Sequence, residues 1–568
     1  MSTNYIPITW SNTQQADTKR RNCIEGILKS NYVGPIRALQ ASLNEFCHWS
    51  ADEVSALFRE FPPLPDRLLY PMGPEARYPP TGGKRWMGAA GAVALLGVVD
   101  VLAVATSPII LLRSSQQRKE AFSAVVDANK LIVSSQLFVS ASLELMEKAG
   151  KCNQALCVNK WGQFKILGSG YAAVSHVWAE TMGFEFHNEK LEQDGRGILM
   201  NHFNKIMGKA LQCGYEWIWF DLLAIPKRST HGTNDARFTQ TKTLIINSLH
   251  SIYRNAAAVI ILDSFALHLP SGDPLKIAPL LVCGMWLTRV WTYQEVKLAQ
   301  KALVVTATHV VNLQDILDVV AVQEHLNPQR WSELHKTIAR LRPIKDQGIY
   351  LADIALSCTN RNTENEIDYA RGFFALLGLQ WQAGWTYEDG IQHIYKSRPQ
   401  EAAMLASMHN PRGLPKPFSW APKYLAHQQG KIHAAHELAC AGNGVTGSWY
   451  TTTVLKLVHV ASYGQAAAES SDDKMAFQLL VDGGSGAPVI VTVVTFGSEW
   501  TQALKCWADV IPGGRTRLLC PTNFDGQFPF PVVLLSVQIT NTAVAEVTDS
   551  AILVNGTVAA PQVQWLLT

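Results

Sequence analysis

Between residues 160 and 310 the hydrophobic positions switch between two periods. Short continuous apolar runs occupy 171–178, 215–225, 256–263 and 302–306, and the stretches between them carry apolar residues every three or four positions. The stretch 238–255 puts Leu244, Ile245, Leu249 and Ile252 on one helical face, 198–211 is built alike, and 277–287 and 291–301 also read as helices. Bulky runs too short for free-standing helices, alternating with amphipathic helices, predict an open, largely parallel α/β sheet. Function in such a sheet gathers in the crevice beyond the carboxyl ends of the strands, where Ser175, Trp178, Asp221 and Asp263 fall. The run 215–225 is stopped by Pro226 and broken by one carboxylate, Asp221. A charge there is costly unless paired or wet, so two readings stand side by side. Asp221 opens into the crevice, or it caps the turn leading into the polar segment 227–234.

The flanks have their own textures. Residues 1–85 read as a helical region, with Ile24, Ile27 and Leu28 at helical spacing, followed by a Pro-rich linker. The segment 86–159 holds the most apolar stretch of the chain, 87–112, and then a long amphipathic helix over 114–150 ending at Gly150. The apolar stretch is long enough to span a bilayer, which takes about 20 apolar residues. Asp100 near its midpoint opposes insertion by about 3 kcal/mol, and a buried helix and turn ended by Pro108 is the competing reading. Beyond the 160–310 core, 311–430 is patterned as a helical extension, with helices at 313–323, 331–341, 349–358, 369–379 and 387–397. From 431 to 568 the pattern changes to short runs at 454–460, 476–481, 488–496, 516–520, 532–539 and 551–554, broken by Gly, Pro, Asn and Asp. This predicts a carboxy-terminal all-β domain, a sandwich or barrel.

Composition narrows the class. With 47% hydrophobic and 17% charged residues the chain is globular, and its net charge of +3 supplies no field for nucleic acid. Ten cysteines are scattered singly with no Cys-x-x-Cys pair, the pattern of reduced thiols. The polar amino terminus lacks the apolar stretch of a secretory signal. An intracellular, cytoplasmic protein is therefore expected, membrane-anchored if 87–112 spans. Neither a P-loop nor Gly-x-Ser-x-Gly occurs, and no Gly-x-Gly-x-x-Gly fingerprint joins a strand to a helix, the string Gly442-Asn-Gly444-Val-Thr-Gly447 falling in the β-patterned region. His427, His433 and His436 cluster without a positioned carboxylate, so no metal site is expected.

Three stretches carry a resemblance. Tyr171-Ala-Ala-Val-Ser175-His-Val-Trp178, Trp217-Ile-Trp-Phe-Asp221-Leu-Leu-Ala-Ile225 and Arg289-Val-Trp291-Thr-Tyr-Gln294-Glu295 resemble, in order, the three signature blocks of the fungal heterokaryon-incompatibility (HET) domain. Asp368-Tyr-Ala-Arg371-Gly-Phe-Phe-Ala375-Leu376-Leu377-Gly378-Leu379 and Pro417-Phe-Ser419-Trp420-Ala-Pro422 are similar to later segments of that family, so the resemblance covers 165–425. Ala179, Ala224, Lys227 and Val290 stand where the family usually has Gly, Cys, Gln and Gly, which marks a divergent member. The resemblance implies a core like the Toll/interleukin-receptor (TIR) domain, with a flavodoxin-like open parallel sheet and no required cofactor. It also implies self-association, and a role with other incompatibility or signalling proteins in allorecognition and programmed cell death.

Some TIR-like domains cleave NAD, so the resemblance further implies NAD as a substrate. A carboxylate beside the nicotinamide-bearing ribose would stabilise the positive charge that develops as the glycosidic bond breaks. Glu295 is the catalytic candidate in that reading, with Ser175, Trp178, Asp221, Arg289 and Trp291 lining the crevice. The alternative is a non-enzymatic self-assembling adaptor. Glu295 is then favoured by the start of the 291–301 helix and pairs with Arg289, Ser175 bonds a neighbouring backbone group, and the tryptophans are core.

Overall fold

The computed structural model describes residues 138–178, 198–226, 236–426 and 438–568, with breaks in the last two ranges, and a few isolated residues before 138. All of the region 1–85 but Glu53 and Ala56, the apolar stretch 87–112, much of the 114–150 segment and the histidines at 427, 433 and 436 lie outside the described residues. No described helix is long and apolar enough to cross a membrane. The chain divides into two units: the described residues within Arg21–Trp286 together with Glu295–Pro343, and Leu287–Gln294 together with Ile344–Thr568.

A seven-stranded mixed sheet organises the former, the α/β unit. Its strands are β1 (Ala155–Asn159), β2 (Phe164–Leu167), β3 (Ala172–His176), β4 (Trp217–Trp219), β5 (Ala258–Leu262), β6 (Ala302–Val305) and β7 (Val310–Asn312), in the order β2-β1-β4-β3-β5-β6-β7. β4, β3, β5 and β6 run parallel, while β1, β2 and β7 are antiparallel to their neighbours. Numbered along the chain, the parallel strands lie in the order 2-1-3-4, so the direction of winding reverses at β3. Every residue of β3 and β5 is buried, which is why both are written as continuous apolar runs rather than alternating ones.

The helices of this unit are α1 (Leu143–Cys152), α2 (Met200–Gln212), α3 (Asp221–Ala224), α4 (Ala236–Asn255), α5 (Pro274–Cys283), α6 (Val290–Leu298), α7 (Leu313–Leu326) and α8 (Pro328–Ala339); the residues of α6 are divided between the two units. Phe203, Ile206 and Met207 of α2 join Val174, Ile218 and Ile260 of the sheet in one buried cluster. Full burial of each such side chain stabilises by about 1.5–3 kcal/mol.

Three local departures from the sequence pattern have physical causes. Phe138–Val139 pairs with Ile198–Leu199 as a short antiparallel strand, and α1 begins only after Ser142, whose Oγ accepts from Leu145 N at 3.3 Å. The amphipathic pattern running to Gly150 is therefore, in its described part, helical at 115–117 and then a strand and a 10-residue helix closed by Asn153 at φ 53°. The β1–β2 hairpin adds an antiparallel edge that the alternating pattern did not announce. Lastly, the strand expected over 215–225 is only three residues long, because Asp221 opens α3 and accepts from Leu222 N at 2.6 Å. A carboxylate at a helix start is favoured by the unpaired backbone N–H groups there.

The second unit contains α9 (Leu351–Ser357), α10 (Asp368–Leu377), α11 (Tyr387–Ser397) and α12 (Pro399–Met404), then β8 (Ala439–Ala441), β9 (Gly444–Ser462), β10 (Lys474–Asp482), β11 (Pro488–Phe496), β12 (Thr516–Cys520), β13 (Val532–Gln538), β14 (Val544–Asn555) and β15 (Gln562–Leu567). The sheet order is β8-β9-β10-β11-β14-β13-β12, and β12 pairs back onto β9 so that six strands form a ring. Closure needs one strand that serves several partners. The 19-residue β9 does so, with register shifts between Val454 and Lys456 and between Leu457 and His459 that allow it to bend. Phe477, Leu479, Val491, Val493, Leu518 and Leu535 fill the space within.

Candidate functional site

The site is built outward from β3, at whose carboxyl end two neighbouring polar residues are buried. Successive residues of a strand face opposite sides, so Ser175 and His176 reach different partners. On the Ser175 side, Trp286 Nε1 donates to Ser175 Oγ at 2.8 Å and Ser175 Oγ in turn donates to Glu295 Oε2. The Tyr253 hydroxyl bonds the same carboxylate. Ser175, Tyr253, Trp286 and Glu295 are all buried. Burial first, and then the negative charges of Glu295 and Asp221, push the Tyr253 phenol well above its ordinary range. Two hydroxyl bonds hold the Glu295 carboxylate in place and compensate part of its desolvation.

On the other side, Asp221 gathers three donors. His176 Nε2 lies 2.7 Å from its Oδ1, Trp178 Nε1 donates to its Oδ2 at 2.5 Å, and Leu222 N donates to its Oδ1. The His176 side chain is 1% exposed and that of Asp221 17%, so the imidazole is sealed while the carboxylate is reached by solvent. The Phe220 ring packs on the imidazole at 4.7 Å between centroids. Asp221 stands in the first turn of α3, after the cap residue Phe220, and its side chain is partly open to solvent.

Asp263, one residue beyond β5, is the third carboxylate at this strand end and is fully buried. Its Oδ1 accepts from Phe265 N and Ala266 N, each at 3.0 Å, while Oδ2 has no hydrogen-bond partner among the described residues. Burial outweighs the two backbone bonds and pushes the carboxyl up to about 7. A Cβ on Gly284 would lie 2.0 Å from Oδ2, so only glycine admits this carboxyl. Spacing along the chain gave no sign that Asp263 and Gly284 would meet.

Arg289 and Trp291 belong to the second unit and are held there by residues the motif pattern did not single out. Arg361 Nη1 donates to Arg289 O at 2.7 Å and to Thr292 Oγ1 at 3.2 Å, and its guanidinium lies 4.9 Å from the centre of the Tyr293 ring. The Arg371 guanidinium, paired with Asp368, lies 5.7 Å from the centre of the Trp291 ring. Tyr253, Trp286, His176 and Arg361 are thus added to the residues read from sequence, among which Asp263 already stood at a strand end. Of those added, only His176, between Ser175 and Trp178, stood within a motif block.

Among the described residues no group of three His, Cys, Asp or Glu could hold a metal ion. Compared with known proteins, the chain matches no family model, no curated protein and no solved structure.

Proposed function

We propose that this chain is a HET-type protein of fungal non-self recognition, that its α/β unit is a TIR-like, flavodoxin-like module, and that it promotes programmed cell death by self-association rather than by chemistry at Glu295. The six strands of 444–555 belong in this reading to an all-β carboxy-terminal domain. One observation carries the proposal: residues from the three motif blocks bond one another at the end of β3. Ser175 of the first block donates to Glu295 of the third, and His176 and Trp178 of the first bond Asp221 of the second. Motif residues that satisfy one another brace the loops at the strand ends, and such bracing suits a surface that must present one shape to a second copy. Cleavage of NAD would require Glu295 to leave both hydroxyl donors and reach a ribose, with an uncompensated buried charge at the start of that motion.

The experiment forces the full-length chain to cluster through a fused oligomerising tag and measures both NAD consumption in vitro and death in fungal cells, beside a Glu295→Gln variant. The expected result is death on clustering with no NAD loss by either protein. NAD loss that requires Glu295 would overturn the adaptor mechanism, and survival of cells with assembled protein would overturn the signalling role.

A further inference from the structure

Where β9 changes partners, the second unit carries an open cavity of about 900 Å³. The strand pairs with β15 up to Tyr450, with β12 over Tyr450–Thr453 and with β10 from Val454 onward, so Tyr450 to Thr453 form the seam between three pairings. Thr453 stands opposite Arg517, Arg517 stands opposite Ser536, and Gln538 lies two residues further along on the same face. Arg517 Nη2 donates to Gln538 Oε1 at 2.8 Å, which fixes the guanidinium on the cavity wall. Asp482 lines the same cavity from the end of β10. Its Oδ1 accepts from Gly484 N at 3.1 Å, and its carbonyl accepts from Thr452 Oγ1 at 2.7 Å. The buried Trp565 is held to Thr451 Oγ1 by its Nε1 at 2.9 Å.

The lining decides the ligand class. Among the described residues it carries one guanidinium and one carboxylate, whose formal charges cancel, the hydroxyls of Tyr450 and Thr453, the Gln538 amide, and apolar patches from Pro561 and Val563. A polyphosphate would meet a single cation, a hard metal ion a single carboxylate, and an acyl chain would strand the polar wall without partners. A sugar fits each part of the wall, because every hydroxyl both donates and accepts while the ring carbons offer apolar faces. The volume falls within the range of about 300–1,000 Å³ usual for small-molecule sites.

We propose that this cavity binds a neutral carbohydrate, a short oligosaccharide, through Arg517, Asp482, Gln538 and Tyr450. Partial burial removes some water from the Arg517 guanidinium and lowers its pKa, so part of the desolvation that a sugar oxygen would require is already met by the fold. The site involves the second unit alone and is independent of the signalling role of the α/β unit. The test is saturation-transfer NMR with isothermal titration on the full-length chain, using maltotriose, cellotriose and N,N′,N″-triacetylchitotriose as probes and glutamate as a charged control. Saturable binding of at least one trisaccharide is expected, weakened about tenfold or more in Arg517→Met and in Tyr450→Phe, with circular dichroism unchanged in the latter. No binding of any of the three at about 10 mM, binding of glutamate alone, or undiminished sugar binding by both variants would each overturn the proposal.

Discussion

Asp263 makes the stability of the α/β unit depend on pH in a direction opposite to that of most carboxylates. Its folded carboxyl is pushed from the ordinary 3.8 up to about 7, because it is fully buried and only one of its oxygens is bonded. The folded form therefore holds a proton that the unfolded chain releases near pH 4. Between those values folding takes up a proton, so the stabilisation from this group is complete below pH 4 and is lost as pH rises to 7. The interval is about 3 units, and at about 1.4 kcal/mol per unit the loss is on the order of 4 kcal/mol. Asp263→Asn keeps the shape and an oxygen that can accept from Phe265 N and Ala266 N, but cannot ionise. The assay is urea denaturation of wild type and variant from pH 4 to pH 8, read as the difference between them so that all other titrating groups cancel. The variant should gain relative stability steadily as pH rises through this range. A difference that stays flat with pH would refute the assignment of a buried, protonated carboxyl to Asp263.

Two further outcomes follow from the same structure. Gly284→Ala should destabilise by about 2–4 kcal/mol, because its methyl would sit 2.0 Å from Asp263 Oδ2, and most of that loss should vanish in an Asp263→Ala background; additive losses in the double-mutant cycle would show that the two residues do not meet. Burial raises the Cys157 thiol strongly and pushes that of Cys213 up to about 11, whereas Cys152 and Cys440 are exposed. Alkylation of the native chain at pH 8 followed by mass mapping should therefore label Cys152 and Cys440 well before Cys157; early labelling of Cys157 would contradict its burial.

Local chemistry made part of this fold readable. The run 488–496 coincides with β11 and 516–520 with β12, since Gly, Pro and polar breaks bound them at short range. The helix at 387–397 coincides with α11, whose start is written in Thr386 and Asp389, each side chain bonding the other's backbone N–H. Where a competing local preference existed, the pattern misled. The aromatic run at 215–225 looks like one buried strand, yet Asp221 ends it early by favouring a helix start.

Long-range packing decided the rest, because pairings between distant segments leave no periodic trace in either partner. Ser175 and Glu295 are 120 residues apart, and only the parallel register of β3 with its neighbours and the placement of α6 bring them together. Tyr253, Trp286 and the Asp263–Gly284 approach join them for the same reason. Residue types and their order along the chain established an α/β sheet with polar groups at its strand ends and identified most of those groups. Which carboxylate is sealed, which is partly open and which keeps its proton depends on desolvation and on hydrogen-bond partners, and both are properties of the assembled core.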